Sequence, residues 1–206
     1  MVVTDRHAAT GSLADAITAA LLGGATVIQL REKDLGAREL LELASPLRRL
    51  TSDMGRLLVV NDRIDVALAA DADGVHLGWR SLPVDRARAI LGADRLIGVS
   101  VHEIDEARRV AEDGADYVVF GPVFPTPSKE GILEPRGLDS VRAVADAIRP
   151  VPLIAIGGLD AGRTMAARRA GAAGVAVIRA VLASPDPTAA AQDIARIASG
   201  MVVDES

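Results

Sequence analysis

The sequence contains no cysteine. That excludes thiolate metal centres, cysteine nucleophiles and a disulfide scaffold, and it suits a reducing, cytoplasmic setting. Aromatic residues are scarce, with one Trp, one Tyr and two Phe among 206 residues. So few rings offer no platform for stacking nucleotide bases. Positive charge is not in excess either: 23 Lys and Arg face 28 Asp and Glu, a formal net charge of −5. A nucleic-acid binder carries a basic footprint, so no nucleic-acid partner is expected. No apolar run approaches the ~20 residues that cross a bilayer, and the amino end lacks the basic-then-apolar pattern of an export signal. Neither a membrane span nor a leader is expected. No linker or low-complexity segment interrupts the chain, so residues 1–206 are expected to form one domain, long enough to bury a core unaided.

What is present is repetition. A short β-branched run, a turn and an Ala/Leu/Arg-rich amphipathic stretch recur about every 20–30 residues. The pattern predicts strands over 2–4, 26–32, 56–61, 74–78, 96–101, 117–124, 152–157 and 174–180. It predicts helices over 12–22, 36–52, 64–70, 83–91, 103–112, 139–149, 160–170 and 187–199. Near-continuous apolar runs such as Val151-Pro-Leu-Ile-Ala-Ile156 indicate a parallel sheet covered on both faces. Glycine recurs where helices should end, in Gly23-Gly24-Ala25, Gly114-Ala115-Asp116 and Gly171-Ala172-Ala173. Asp105, Asp139 and Asp160 stand near predicted helix starts as caps. Eight units of near-equal length imply a closed (β/α)8 barrel, with a doubly wound open sheet as the alternative. One connection breaks the rhythm: between Phe124 and Leu138 the chain far exceeds the usual 2–6 residues of a βα loop. Following strand 6, it belongs to the face where barrel enzymes keep their active sites.

Strand parity then sorts the polar residues. Gln29, Arg31 and Lys33 share one side, opposite Ile28 and Leu30, so an amide and two cations point into the upper barrel. Buried cations need an anionic partner. They form either a phosphate or diphosphate clamp, or a cluster satisfied by carboxylates such as Asp62. Asp62, after Asn61 at the end of strand 3, is a candidate Mg²⁺ ligand, a helix cap, or a partner for Arg63. Ser100 can donate to a ligand oxygen, His102 is expected to cap the next helix, and His76 is expected inside the barrel as a hydrogen-bonded core histidine. No Ser/His/Asp nucleophilic set is evident. Loops after strands 7 and 8 of barrels often bind phosphate through glycine N–H groups and helix N-termini, which singles out Gly157-Gly158 and the Ile178-Arg179 pair. Lys129 adds a cation from the long loop that could close over a bound anion.

The stretches Gln29-Leu-Arg-Glu-Lys33, Asn61-Asp-Arg63, Ala72-Asp-Gly-Val-His-Leu-Gly78, Gly98-Val-Ser100, Gly114-Ala-Asp-Tyr117, Phe120-Gly-Pro-Val-Phe-Pro-Thr-Pro-Ser-Lys129 and Ala155-Ile-Gly-Gly158 occur in this order along nearly the whole chain. As a set the sequence resembles the thiamine phosphate synthase and thiazole tautomerase family. The resemblance implies a single TIM barrel that joins a hydroxymethylpyrimidine diphosphate to a thiazole phosphate with release of diphosphate. It implies Mg²⁺ as cofactor, held by Asp62, and a homodimer as one assembly. By match to the motifs, Gln29, Arg31, Lys33, Asn61 and Lys129 would hold the pyrimidine diphosphate, with Arg31, Lys33 and Lys129 carrying the catalytic charge. Ser100 would touch the pyrimidine. Thr126, Ser128, Gly158, Ile178 and Arg179 would hold the thiazole phosphate.

Three positions depart from the family pattern. Gly78-Trp79-Arg80-Ser81 stands where the synthases carry Gly-Gln-x-Asp, so Ser81 replaces a second metal carboxylate and Trp79 a glutamine. An Arg-Ser pair here is similar to the tautomerase branch, yet the histidine expected of that branch after strand 6 is Pro122. Arg179 stands where serine is usual. These departures keep two alternatives in view. One is a tautomerase-type isomerase of the thiazole phosphate carboxylate, using His7 or His102 as base. The other is a non-catalytic barrel that binds phosphorylated ligands.

Overall fold

The computed structural model describes residues 1–126 and 133–200. Strand β1 (Val2–Val3) leads through α1 (Leu13–Leu22) to β2 (Val27–Leu30), α2 (Ala37–Asp53), β3 (Leu57–Asn61), α3 (Ile64–Ala69) and β4 (Gly74–Leu77). Next come α4 (Val84–Leu91), β5 (Leu96–Val101), α5 (Ile104–Glu112), β6 (Tyr117–Phe120), α6 (Gly137–Ala147), β7 (Leu153–Ile156), α7 (Ala161–Arg169) and β8 (Gly174–Ala176). Two helices, α8 (Arg179–Leu182) and α9 (Pro187–Ala198), follow. All neighbouring strands pair in parallel in the order β1 to β8. Val177 meets Val2 in a further parallel bridge, with the Val3 N–H donating to the Val177 carbonyl at 2.9 Å. The sheet is therefore a closed (β/α)8 barrel, as the repeat count requires.

Parity divides each strand between helix layer and barrel axis. Ile28, Leu30, Leu58, Val60, Ile97 and Val118 belong to the continuous apolar core beneath the helices. The opposite parity places Asn61, His76, Gly98 and Tyr117 in one register row across β3 to β6. Gly98 has a positional reason: a Cβ there would lie 1.9 Å from the Tyr117 ring. The missing side chain lets the tyrosine lean across the axis towards β4.

Helix ends follow the glycine pattern. At Gly24, Gly114 and Gly171 φ is +95°, +94° and +101°, and each of these N–H groups turns back onto the helix it leaves. Such left-handed stops favour glycine. Asp160 caps α7 by accepting from the Arg163 N–H at 2.9 Å. Asp105 and Asp139 instead lie in the first turns of α5 and α6, whose caps are Glu103 and Arg136.

Three strand ends differ from the sequence pattern by more than one residue. β2 stops at Leu30 because the Arg31 N–H leaves the ladder for the Thr4 hydroxyl at 2.8 Å. β6 stops at Phe120, before Pro122, which has no N–H to donate. The chain nevertheless stays beside β7, with the Val123 and Phe124 N–H groups donating to Ile156 and Gly157 at 2.9 and 3.1 Å. β8 stops at Ala176, and Arg179, expected at a strand end, opens α8. Among the described residues no helix is long and apolar enough to cross a membrane.

Candidate active site

The carboxyl ends of β2 to β5 carry a connected set of polar side chains. Gln29, only 3% exposed, donates its amide to Asn61 Oδ1 at 2.9 Å. Asn61 Nδ2 donates onward to Asp62 Oδ2 at 2.7 Å. Asp62, held at a φ of +61°, also accepts from the Gly78 N–H at 3.0 Å and from the Ser81 hydroxyl. It caps no helix and does not pair with Arg63, which binds Asp65. Its carboxylate is therefore turned to the barrel mouth, between β3 and β4.

Beside it, His76 is buried and bridges two hydroxyls, Ser100 Oγ at 2.7 Å from Nε2 and Tyr117 Oη at 3.2 Å from Nδ1. Burial pushes its pKa down to about 4, with the Asp62 charge pulling the other way and Arg31 adding to the drop. The ring is thus neutral near pH 7 and orients Ser100 rather than shuttling charge. This is the core histidine that its apolar neighbours implied.

The cations are distributed differently from the parity expectation. Gln29 lies within β2, whereas Arg31 and Lys33 lie in the loop beyond it. Arg31 is half-buried and close enough to influence His76, and it forms no ion pair with a described residue. Lys33 is exposed. Asp62, which could have neutralised such a cluster, is occupied by neutral donors instead.

Gly157 and Gly158 have φ values of +98° and +62°. A Cβ on Gly158 would meet the Pro125 carbonyl at 2.5 Å and the Phe124 Cβ at 2.8 Å. The pair therefore packs against the loop after β6, which brings Thr126, half-buried, alongside. Arg163 binds the Gly158 carbonyl at 2.7 Å and lies over the Phe124 ring at 4.9 Å. Ile178, half-buried, and Arg179, exposed, lie at the start of α8. Ser128 and Lys129 lie outside the described residues.

His102 is not a helix cap. Its ring nitrogen reaches the Gly121 carbonyl, and Glu103 caps α5 with Glu106 in a capping box. His7, 70% exposed, meets Asp34 at 3.3 Å. Arg6 hydrogen bonds hold the Asp34 carboxyl well below the usual carboxylate range, with a further contribution from His7. Arg6 also binds buried Glu32 at 3.2 Å, so these pairs tie the loop after β1 to the loop after β2. This brace and Arg163 were not singled out in the sequence, and Tyr117 stood there only as the end of a motif. Only the position of Arg163, three residues beyond the Asp160 cap, hinted at its place. A cleft of about 340 Å³ lies at the other end of the barrel, beside Leu57 and Leu96. Its two arginines, Arg48 and Arg95, are already paired with Asp73 and Asp71.

Among the described residues no group of three or more His, Asp or Glu gathers as a metal cage. The two groups there that could ligate a cation are nonetheless oxygens, the Asp62 carboxylate and the Ser81 hydroxyl. That set fits Mg²⁺, which takes one or two carboxylates and completes its shell with water and substrate oxygens.

Known proteins align with this architecture. A family model described as thiamine monophosphate synthase matches residues 1–181. A putative thiamine-phosphate synthase of Geobacter sulfurreducens is 51% identical over 187 residues, which cover 90% of this chain and 87% of the relative. A thiamine-phosphate synthase of Roseiflexus sp. is 47% identical over 97% of this chain and 85% of its own length. The solved structure of a thiamine phosphate pyrophosphorylase from Pyrococcus furiosus superposes with a TM-score of 0.89 at 36% identity, covering 98% of this chain and 96% of that one. With motifs, barrel and relatives in agreement along the chain, this protein belongs to the thiamine monophosphate synthase family.

Proposed function

We propose that the chain is a thiamine-phosphate synthase, joining a hydroxymethylpyrimidine diphosphate to a thiazole phosphate and releasing diphosphate. The observation that carries this reading is the polar mouth of the barrel. Gln29, Asn61, Asp62 and Ser81 form one hydrogen-bonded set beside Arg31, which no described carboxylate neutralises. Such a mouth suits an anionic leaving group.

In this reading the carbon–oxygen bond between the pyrimidine methylene and the diphosphate breaks first, and both electrons leave with the diphosphate. The thiazole nitrogen then donates its lone pair to the cationic carbon. Little proton transfer is required, so catalysis rests on charges already in place around the departing group. Arg31, Lys33 and Lys129 supply that charge, and Gln29 and Asn61 orient diphosphate oxygens. Asp62, with Ser81 beside it, would hold Mg²⁺. When bound, that ion adds positive charge next to the diphosphate. Ser100, hydrogen bonded to neutral His76, contacts the pyrimidine in this reading. Thr126, Gly158, Ile178 and Arg179, at the mouth beside β7 and β8, bind the thiazole phosphate in this reading, and Ser128 is assigned to it by its motif. Backbone N–H groups of the Gly157–Gly158 corner would meet the anion there.

The isomerase alternative needs a base near the substrate. His7 is engaged by Asp34 and His102 by the Gly121 carbonyl, and neither belongs to the Gln29–Ser100 group. The deciding experiment incubates purified protein with the pyrimidine diphosphate, the thiazole phosphate and the thiazole phosphate carboxylate, with and without Mg²⁺. Thiamine phosphate as product supports the synthase. Isomerised thiazole alone supports the tautomerase, and neither product leaves the binding barrel.

A further inference from the structure

The turn after β4 does more than close the barrel rim. The Ser81 N–H donates to the Gly78 carbonyl at 3.0 Å, and the Gly78 N–H donates to Ser81 Oγ at 2.8 Å. Gly78 and Ser81 both also donate to Asp62. The turn is thereby pinned at both ends to the carboxylate at the mouth, and Trp79 and Arg80 occupy its two corners. Trp79 is 84% exposed, the most exposed large apolar side chain described. Its ring lies 4.9 Å beneath the Arg80 guanidinium. Arg80 itself has no ion pair or hydrogen bond with a described residue. An arginine stem is long and costly to order, and stacking on an aromatic face holds its planar fork in place before a ligand arrives.

The charges at this mouth do not balance. Asp62 contributes one negative charge and already accepts three hydrogen bonds, from Asn61, Gly78 and Ser81. Arg31 and Arg80 each lack an ion pair with a described residue. A single carboxylate gives a divalent ion little protein charge to bind, so much of its hold must come from substrate oxygens. A guanidinium, by contrast, matches phosphate oxygens with two parallel donors and needs no metal.

Resting on the synthase reading, we propose that Arg80, braced by Trp79, is a diphosphate-binding residue. It supplies on the Asp62 side of the mouth part of the positive charge that a more strongly held metal ion would bring. Diphosphate binding should then persist when divalent ions are removed.

The probe is inorganic diphosphate, titrated into the purified protein with excess chelator and again with Mg²⁺. Affinity is read by calorimetry, and position by the fluorescence of Trp79, the only tryptophan in the chain. The parent should bind under chelation with a saturable change in Trp79 emission. Arg80→Gln should weaken binding under chelation by about tenfold or more, the worth of one charge-assisted pair of hydrogen bonds, and by less with Mg²⁺ present. Arg80→Lys should fall between, because it keeps the charge and loses the fork. Arg86→Gln removes an exposed α4 charge paired with Asp85 and should leave affinity unchanged. Three results would overturn the proposal: no diphosphate binding by the parent under chelation, an Arg80→Gln affinity within about twofold of the parent, or equal weakening by Arg86→Gln. The synthase reading fails separately, when the parent makes no thiamine phosphate from its two substrates. A parent that makes thiamine phosphate, yet binds diphosphate indifferently to Arg80, overturns this inference alone.

Discussion

Asp62 is one residue with three neutral donors, and its neighbours determine what it can hold. With Ser81 rather than a second carboxylate beside it, Mg²⁺ affinity should be weak for the protein alone and tighten when diphosphate is added. Ser81→Asp should strengthen binding of Mg²⁺ alone, measured by calorimetry without substrate, by about tenfold or more, since charge count tunes such sites. Unchanged Mg²⁺ affinity in a folded Ser81→Asp protein would remove Asp62 from the metal site. His76 makes a different prediction. Its folded pKa of about 4 lies below the ordinary 6.5, so the unfolded chain binds the extra proton between those values. Stability contributed by the neutral ring is then complete above pH 6.5 and declines as pH falls towards 4. The slope should reach at most about 1.4 kcal/mol per pH unit. Replacing the ring by His76→Gln should flatten the melting temperature across that window, even if the variant is less stable throughout. A parent and variant with parallel pH profiles would show that His76 is not the titrating group.

At the scale of elements, the corner after β7 is fitted to the loop after β6. Gly158 is left-handed and its missing Cβ is replaced by Pro125 and Phe124 at close range. Gly158→Ala should therefore cost about 1–3 kcal/mol of stability through backbone strain and crowding. It should also weaken thiazole phosphate binding, because Thr126 shifts with the loop. Thermal melts and calorimetry on one preparation test both effects; an unchanged melting temperature would mean that the loop yields freely. The element boundaries show what the sequence could and could not convey. Buried parallel strands announce themselves as β-branched runs, and the stops at Gly24, Gly114 and Gly171 are local backbone chemistry, so both were legible. The end of β2 was not. Alternation continues through Arg31 and Lys33, while the strand ends because a Thr4 hydroxyl, 27 residues away, takes the Arg31 N–H. α8 was missed because four residues are too few for a helical period. Asp62 was visible as a site candidate from its place at the end of strand 3, and Ser100 from strand parity. The Ser81 contact and the Arg6–Glu32 brace depend on loops meeting across the rim, which no local pattern encodes.

At the scale of the whole molecule, eight strands share one closed sheet and one apolar layer beneath the helices. The described barrel should unfold as one unit. The sole tyrosine, Tyr117, is buried against Gly98 inside the barrel, so its near-ultraviolet dichroism reports the axis while far-ultraviolet dichroism reports the helices. Both signals should disappear at the same denaturant midpoint. Separate midpoints would mean more than one cooperative unit. The mouth itself is built in two ways. From β2 to β5 its groups are side chains, from Gln29 and Asn61 through Asp62 and Ser81 to Ser100. Beside β7 its shape is set by backbone, in the left-handed corner of Gly157 and Gly158. These halves differ in how readily descent with modification can rework them. Point substitutions can retune the side-chain arc towards a new leaving group, one residue at a time. The glycine corner changes only if the loop leaning on it changes too. A lineage from this barrel would therefore keep its glycine corner longest and vary its chemistry on the opposite side.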